Sequence, residues 1–227
     1  VPAYVKDVEV ISAGEQHTVS IHEDGWIDSW GKNQYVPEGL RYAKSISAGW
    51  YHTVVLKHNG TVIAWGQNYD GQCNVPEGLD NVKAISAGLL HTVALKEDGT
   101  VVAWGSNDYG ECLVPDGLNN VKSISAGGRH TVALKEDGKV VAWGWNKYGE
   151  CNVPTDLGKV KAISVGGHHT VAIKEDGTVV AWGKNKYGQC DVPADLSIVK
   201  SISAGYGQIV GLKEDGKVVA WGWNWEG

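Results

Sequence analysis

The pair Trp-Gly recurs at residues 30, 65, 104, 143, 182 and 221, with spacings of 35, 39, 39, 39 and 39. The element Ile-Ser-(Ala/Val)-Gly, starting at 11, 46, 85, 124, 163 and 202, keeps the same spacings. A fixed period of this length means one supersecondary unit copied end to end, each copy burying its apolar faces against its neighbours. Only the first copy is short, by four residues between Trp30 and Val36. Composition agrees: 11 Trp and 31 Gly with no Phe or Met is the bias of a few building blocks used repeatedly.

Each unit reads as four short strands. "VKAIS" ends at a glycine; "HTVALK", the turn "EDG" and "TVVAWG" follow, then a Gly- and Asn-rich loop and "QCNVP". Asp-Gly between two β-branched runs is a strong hairpin signal, because the turn needs positive φ. No segment shows helical spacing, so the chain is expected to be all-β. Four-stranded units of about 40 residues, repeated four to eight times, indicate a β-propeller. The expectation is one domain over residues 1–227, a six-bladed β-propeller of four-stranded antiparallel blades. The span from Trp221 through both chain ends to Trp30 is close to one repeat. The terminal segments are therefore expected to share a blade and close the ring, with residues 1–10 completing the last copy.

The run "HTVALKEDGTVVAWG", followed by Asn, Tyr-Gly-Gln-Cys and Val-Pro, resembles the repeats of the regulator of chromosome condensation family. It is most similar to the propeller-type β-lactamase-inhibitory proteins, whose repeats also join Trp-Gly-x-Asn, Gly-Gln and Val-Pro. The resemblance covers essentially the whole chain and implies a propeller. Family propellers usually have seven blades; this chain counts six, which alters ring diameter and docking geometry.

Six Trp at one position per repeat (Trp30, Trp65, Trp104, Trp143, Trp182, Trp221) are read as packing residues. Burying one removes ~150–250 Å² from water, an upper-bound stabilisation of about 4–6 kcal/mol. His17, His52, His91, His130 and His169 also recur, with Gln208 in the sixth copy. Ligands of one metal must converge on a point, whereas equivalent positions of a ring do not, so each His is expected to bond its own loop. Cys73, Cys112, Cys151 and Cys190 are placed on the outer strand, too far apart for the ~7 Å that a disulfide tolerates. Free thiols and a reducing compartment are expected.

A net charge of -6 speaks against a broad nucleic-acid footprint. No run approaches the roughly 18 apolar residues of a membrane helix, and no signal-peptide pattern opens the sequence. No acid–base pair, nucleophile elbow, phosphate loop or metal cluster stands out, so neither catalysis nor a cofactor is expected.

The frame leaves certain letters free. After each Ser-(Ala/Val)-Gly come Glu15-Gln16, Trp50-Tyr51, Leu89-Leu90, Gly128-Arg129, Gly167-His168 and Tyr206-Gly207. The residue after Trp-Gly also varies: Lys32, Gln67, Ser106, Trp145, Lys184, Trp223. Two strands separate these loops, so both emerge on one face of an antiparallel blade, while the Glu-Asp-Gly tips emerge on the other. Trp50, Tyr51, Leu89, Leu90, Trp145, Tyr206, Trp223 and Trp225 therefore crowd one rim, with Arg129, His168 and Lys184 among them. Large apolar side chains that the frame does not require mark an interaction surface. The resulting expectation is a monomeric, non-catalytic propeller that docks a protein partner on this face. The resemblance implies a β-lactamase-like partner at Trp50, Tyr51 and Tyr206 alone. A carbohydrate-binding propeller and an idealised scaffold without a natural partner are the alternatives.

Overall fold

The computed structural model describes residues 2, 5–32 and 35–224. Each repeat is an antiparallel meander, called a blade below. Blade 1 holds β1 (Val8–Ala13), β2 (His17–His22) and β3 (Ile27–Gly31); blade 2 holds β4 (Ala43–Ala48), β5 (His52–Lys57) and β6 (Val62–Gly66). Blade 3 holds β7 (Val82–Ala87), β8 (His91–Lys96) and β9 (Val101–Gly105); blade 4 holds β10 (Val121–Ala126), β11 (His130–Lys135) and β12 (Val140–Gly144). Blade 5 holds β13 (Val160–Val165), β14 (His169–Lys174) and β15 (Val179–Gly183); blade 6 holds β16 (Val199–Ala204), β17 (Gln208–Lys213) and β18 (Val218–Gly222). The six sheets follow chain order, and the described residues contain no helix. The chain is all-β, with six repeated sheets consistent with a six-bladed propeller.

Among the described residues each sheet has three strands, where four are expected from the sequence. The missing strand was assigned to segments such as "QCNVP". There the backbone bonds to itself: Asn74 N–H donates to Gly71 O at 2.9 Å, Val75 N–H to Cys73 O at 3.0 Å and Leu79 N–H to Pro76 O at 3.2 Å. Pro76 has no N–H to offer a ladder. The segment is therefore a chain of turns, and the cysteines lie on turns rather than on an outer strand.

The hairpins form as expected. In blade 3, Lys96 N–H donates to Thr100 O at 2.9 Å, and Gly99 adopts φ 83°, a conformation that favours glycine. Asp98 Oδ1 accepts from the amide and hydroxyl of Thr100 at 2.9 and 2.7 Å, which locks the tip.

Apolar cores lie between blades rather than within them. At the junction of blades 3 and 4, Leu95 and Val101 on the forward face of one sheet meet Ile124, Ala133, Val141 and Trp143 on the rear face of the next. Hydrogen bonds stitch the same junction at three levels. Val121 N–H donates to the hairpin carbonyl of Gly99 at 3.2 Å, Ala126 N–H to Ser86 Oγ at 2.9 Å, and His91 Nε2 meets Thr131 Oγ1 at 3.0 Å.

The serine stitch occurs at five junctions: Ser12, Ser47, Ser86, Ser125 and Ser164 each accept an amide of the following blade at 2.9–3.2 Å. Among the described residues no such bond joins blade 6 to blade 1. The faces on either side are uncovered. Val210 is 39% and Val218 68% exposed, where the counterpart Val171 is at 0%; Ile11 is 60% exposed, where Ile46 is at 8%. On that rear face of blade 1, Ser20 and Asp28 stand where blade 3 has Ala94 and Val102. The expected closure is thus not made by the described residues: residues 8–13 pair within blade 1, and residues 1, 3, 4 and 225–227 lie outside the described residues. Trp65, Trp104, Trp143 and Trp182 are buried as expected, while Trp30, on the uncovered rear face, is half-buried.

Candidate functional site

Every blade brings its two variable loops together by one backbone bond. The amide after Trp-Gly donates to the carbonyl of the residue two after Ser-(Ala/Val)-Gly or its counterpart: Gln67 to Tyr51 at 2.9 Å, Ser106 to Leu90 at 2.8 Å and Trp145 to Arg129 at 2.8 Å. Lys184 bonds His168 at 2.8 Å and Trp223 bonds Gly207 at 2.9 Å in the same way. The free letters of each repeat therefore sit side by side on one rim.

A cavity of about 440 Å³ opens there, lined by residues of all six blades, among them Ala13, Ala48, Ala87, Ala126, Val165 and Ala204. Small residues at these strand ends keep it open; Trp50 and Tyr206 reach over it. Their rings meet edge-on, with centroids 5.3 Å apart. Tyr206 also contacts Trp223 at 5.6 Å, and Trp223 stacks on Tyr187 at 5.4 Å and 18°. The chain of rings continues from Tyr206 to His168 at 6.5 Å and from His168 to Tyr148 at 5.7 Å. Lys184 Nζ lies 5.0 Å from the centre of the Tyr148 ring. A second group pairs Tyr109 with Trp145 at 4.1 Å, with the Arg129 guanidinium 4.8 Å over Tyr109. These are ordinary edge-to-face, tilted, stacked and cation–π geometries.

The structure thus joins Trp50, Tyr206, Trp223, His168 and Lys184 into one surface and sets Arg129 and Trp145 in a neighbouring one. Tyr51 bonds to Glu15 instead, and burial together with that carboxylate pushes its phenol pKa up. Leu89 and Leu90 are half-buried on blade 3, where Leu89 N–H donates to Gly127 O at 3.1 Å. Trp225 lies outside the described residues. Sequence reasoning passed over Tyr109, Tyr148 and Tyr187 as frame letters. Their signal was the recurring Tyr-Gly three and four residues beyond Ser106, Trp145 and Lys184.

Beneath the rings lies a buried polar pair. Glu150 is at 0% exposure; its Oε2 accepts from Tyr148 N–H at 2.7 Å. Its Oε1 stands 3.5 Å from His168 Nδ1, and neither atom has a hydrogen-bond partner, so the contact is electrostatic. Burial raises the pKa of Glu150; burial, then Lys184 and Arg129, lower that of His168. Trp145 Nε1 is likewise buried and unpartnered. Unsatisfied buried polar atoms are costly, and Glu150 and His168 hold two of them side by side.

The recurring histidines belong to the frame. His52, His91 and His130 bond the threonine of the following blade, not their own loops as expected: His52 to Thr92 at 2.9 Å, His91 to Thr131 at 3.0 Å, His130 to Thr170 at 3.1 Å. Each threonine hydroxyl donates to a linker carbonyl, that of Gln72, Glu111 or Glu150. Its oxygen must then accept, so Nε2 carries the imidazole proton. Among the described residues no group of three or more His, Cys, Asp or Glu could hold an ion. The four cysteines are free thiols, and burial raises their pKa to about 11 or 12. No helix among the described residues is long and apolar enough to cross a membrane.

The profile of the Regulator of chromosome condensation (RCC1) repeat matches residues 43–72, 82–111, 121–150, 160–189 and 199–227. No curated protein sequence matches the chain. Among solved structures, it is similar to yeast RCC1 (Prp20) bound to Kap60, with 20% identity and a TM-score of 0.78 over 95% of this chain and 70% of that one. It is also similar to Prp20p from Saccharomyces cerevisiae, at 19% identity and TM-score 0.80 over 93% and 71%. The ectodomain of the Physcomitrella patens receptor kinase CR4 matches at 22% identity and TM-score 0.81; the chain spans 64% of that ectodomain. At these identities the likeness is one of fold.

Proposed function

The chain belongs to the RCC1 repeat family, and on that premise we propose that it is a non-catalytic protein-binding propeller whose partner docks over the aromatic rim. The observation that carries this reading is the run of rings from Trp50 through Tyr206 to Trp223, none of which the repeat frame requires. Tyr206 is 43% and Trp223 38% exposed, so both retain area to bury on a partner. Trp and Tyr dominate binding hot spots, and cations at their edge set orientation. In our reading Arg129 and Lys184 supply those charges, and His168, whose pKa burial lowers, contributes a ring that helps to orient the partner. The buried, unpartnered Trp145 Nε1, Glu150 Oε1 and His168 Nδ1 would gain from a partner able to hydrogen-bond them. The similar solved structures include one with Kap60 bound and one whose subject is binding to Gsp1p and histones; protein binding is accordingly the general role we carry over.

We read the chain as monomeric. Beside the exposed Ile11, the rear face of blade 1 carries the partly exposed Asp28, with Ser20 buried at 0%, a poor match for the apolar Val210 and Val218 of a second copy.

Affinity capture with the intact chain, using a β-lactamase as one defined candidate, tests the assignment. Alanine at a hot spot costs about 2 kcal/mol or more, roughly thirtyfold in affinity. Trp50→Ala, Tyr206→Ala and Trp223→Ala are each expected to weaken capture by that order. A partner held equally well by all three variants would refute docking at this rim.

A further inference from the structure

The rim is divided by charge. In its two variable loops blade 1 carries one charge of each sign, Glu15 and Lys32, and blades 2 and 3 carry Asp70 and Asp108. Blades 4 and 5 carry exposed or half-buried cations there, Arg129 and Lys147, then Lys184 and Lys186. The repeat does not require them. Lys184 stands where blades 2 and 3 have Gln67 and Ser106, and Lys147 where they have Tyr69 and Asp108. The chain has a net charge of -6, so this sector runs against its own background.

Three of these cations converge. Lys184 Nζ lies 5.0 Å and Lys147 Nζ 5.8 Å from the centre of the Tyr148 ring, which meets His168 at 5.7 Å. Lys184 and Arg129 both act electrostatically on that histidine, and the Arg129 guanidinium lies 4.8 Å over Tyr109. Among the described residues Arg129, Lys147 and Lys184 make no ion pair. Lysines of the opposite face do: Lys96 pairs with Asp80 at 3.3 Å, Lys139 with Asp137 at 3.4 Å and Lys217 with Asp215 at 3.3 Å. Carboxylates near the sector are engaged elsewhere. Asp191 Oδ1 accepts from Asn185 Nδ2 at 2.7 Å. Glu150 is at 0% exposure, with Oε2 on Tyr148 N–H and Oε1 facing His168. Like charges held within a Debye length of ~8–10 Å repel one another, and an anion from outside relieves that repulsion.

We propose that this sector recognises a short acidic segment of the protein partner, a run of Asp and Glu whose carboxylates are received among Arg129, Lys147 and Lys184. The inference rests on the rim being the docking surface. An arginine stacked on a ring keeps the N–H groups of its edge, which match a carboxylate bidentately. Contact with a ring also restrains each cation beforehand, so less ordering remains to be made on binding. A long polyanion such as nucleic acid fits poorly, because it would run on past Glu15, Asp70 and Asp108 of the same rim. A short segment meets the cations alone.

The test uses the intact chain and the end-blocked peptide Glu-Glu-Tyr-Glu-Glu, read by calorimetry at low salt. Saturable binding is expected, weakening severalfold between about 20 and 150 mM salt as exposed charges are screened. The peptides Gln-Gln-Tyr-Gln-Gln and Lys-Lys-Tyr-Lys-Lys should not bind. Lys184→Gln, which supplies the letter of blade 2, is expected to cost about threefold in affinity, and Lys184→Glu roughly tenfold. Lys139→Glu makes the same change of net charge on the opposite face and should leave binding unchanged. Equal losses in Lys184→Glu and Lys139→Glu would reduce the effect to net charge and overturn the proposal. So would the absence of binding at millimolar acidic peptide, or tighter binding of a short oligothymidylate. These outcomes leave docking at the rim standing, since that is read from Trp50→Ala, Tyr206→Ala and Trp223→Ala on the captured partner.

Discussion

His91 Nε2 donates to Thr131 Oγ1 at 3.0 Å, and Thr131 in turn donates to the carbonyl of Glu111 at 2.9 Å. Three segments distant in sequence are thereby joined at one point where two blades meet. Both His91 and Thr131 are at 0% exposure, so the bonds are shielded from water and their loss is not repaired by it. Thr131→Val keeps the shape but strands the His91 N–H, while the Glu111 carbonyl keeps only its bond from Trp143 Nε1 at 3.0 Å. A loss of about 1–3 kcal/mol is expected, measured by urea unfolding. A cost below about 0.5 kcal/mol would show that this relay does not hold the junction.

The same histidines make stability depend on pH. Burial, reinforced by neighbouring histidines, lowers the pKa of His52 and His169 to about 4 and of His91 and His130 to about 3. The unfolded chain titrates near 6.5. Above that pH both states are neutral and stability is complete. Below it the unfolded chain takes up protons that the folded one refuses, costing about 1.4 kcal/mol per pH unit for each histidine. Unfolding free energy should fall steadily from pH 6.5 towards pH 4. His91→Gln, using the residue that blade 6 carries, should reduce that slope by one proton. A flat profile down to pH 4.5 would contradict burial of the neutral imidazoles.

Equivalent tryptophans should respond unequally. Trp104 Nε1 donates to Gln72 O at 3.0 Å, while Trp65 Nε1 has no partner. Trp→Phe removes similar apolar volume at both sites, but only at 104 does it break a buried hydrogen bond, leaving the Gln72 carbonyl with the Thr92 hydroxyl alone. Trp104→Phe is expected to cost about 1 kcal/mol more than Trp65→Phe, as read from chemical unfolding of the two variants. Equal costs would place an acceptor near Trp65.

Val132 and Val210 are the same letter of the repeat in blades 4 and 6. Val132 is at 0% exposure and Val210 at 39%. A buried, unbonded hydroxyl costs about 1–3 kcal/mol in a protein, so Val132→Thr should lower stability by that order. Val210→Thr should stay within about 0.5 kcal/mol. Thermal unfolding of both variants decides whether the forward face of blade 6 is covered in solution.

Much of this was legible in the chain itself. The period, the Asp-Gly turns and the β-branched runs around them depend on residues close in sequence, so they point to the right elements without a fold. The side-by-side placement of Tyr51 with Gln67 and of Arg129 with Trp145 follows from strand count, and the backbone bonds agree. The fourth strand was misread because "QCNVP" has strand-like letters; only its turn hydrogen bonds show where its amides go. Tyr109, Tyr148 and Tyr187 repeat with the frame, and repetition hid their share in the rim.

Local sequence therefore decided the blade, since its turns and strand-forming runs are set within a few residues of each other. What lay between blades was decided in three dimensions. The carbonyl that Trp104 finds and Trp65 lacks, the threonine that holds His91, and the uncovered side of Val218 all depend on which sheet packs next to which. Those contacts bury polar and apolar groups together at junctions up to 40 residues apart in sequence, and no short-range pattern encodes the partner.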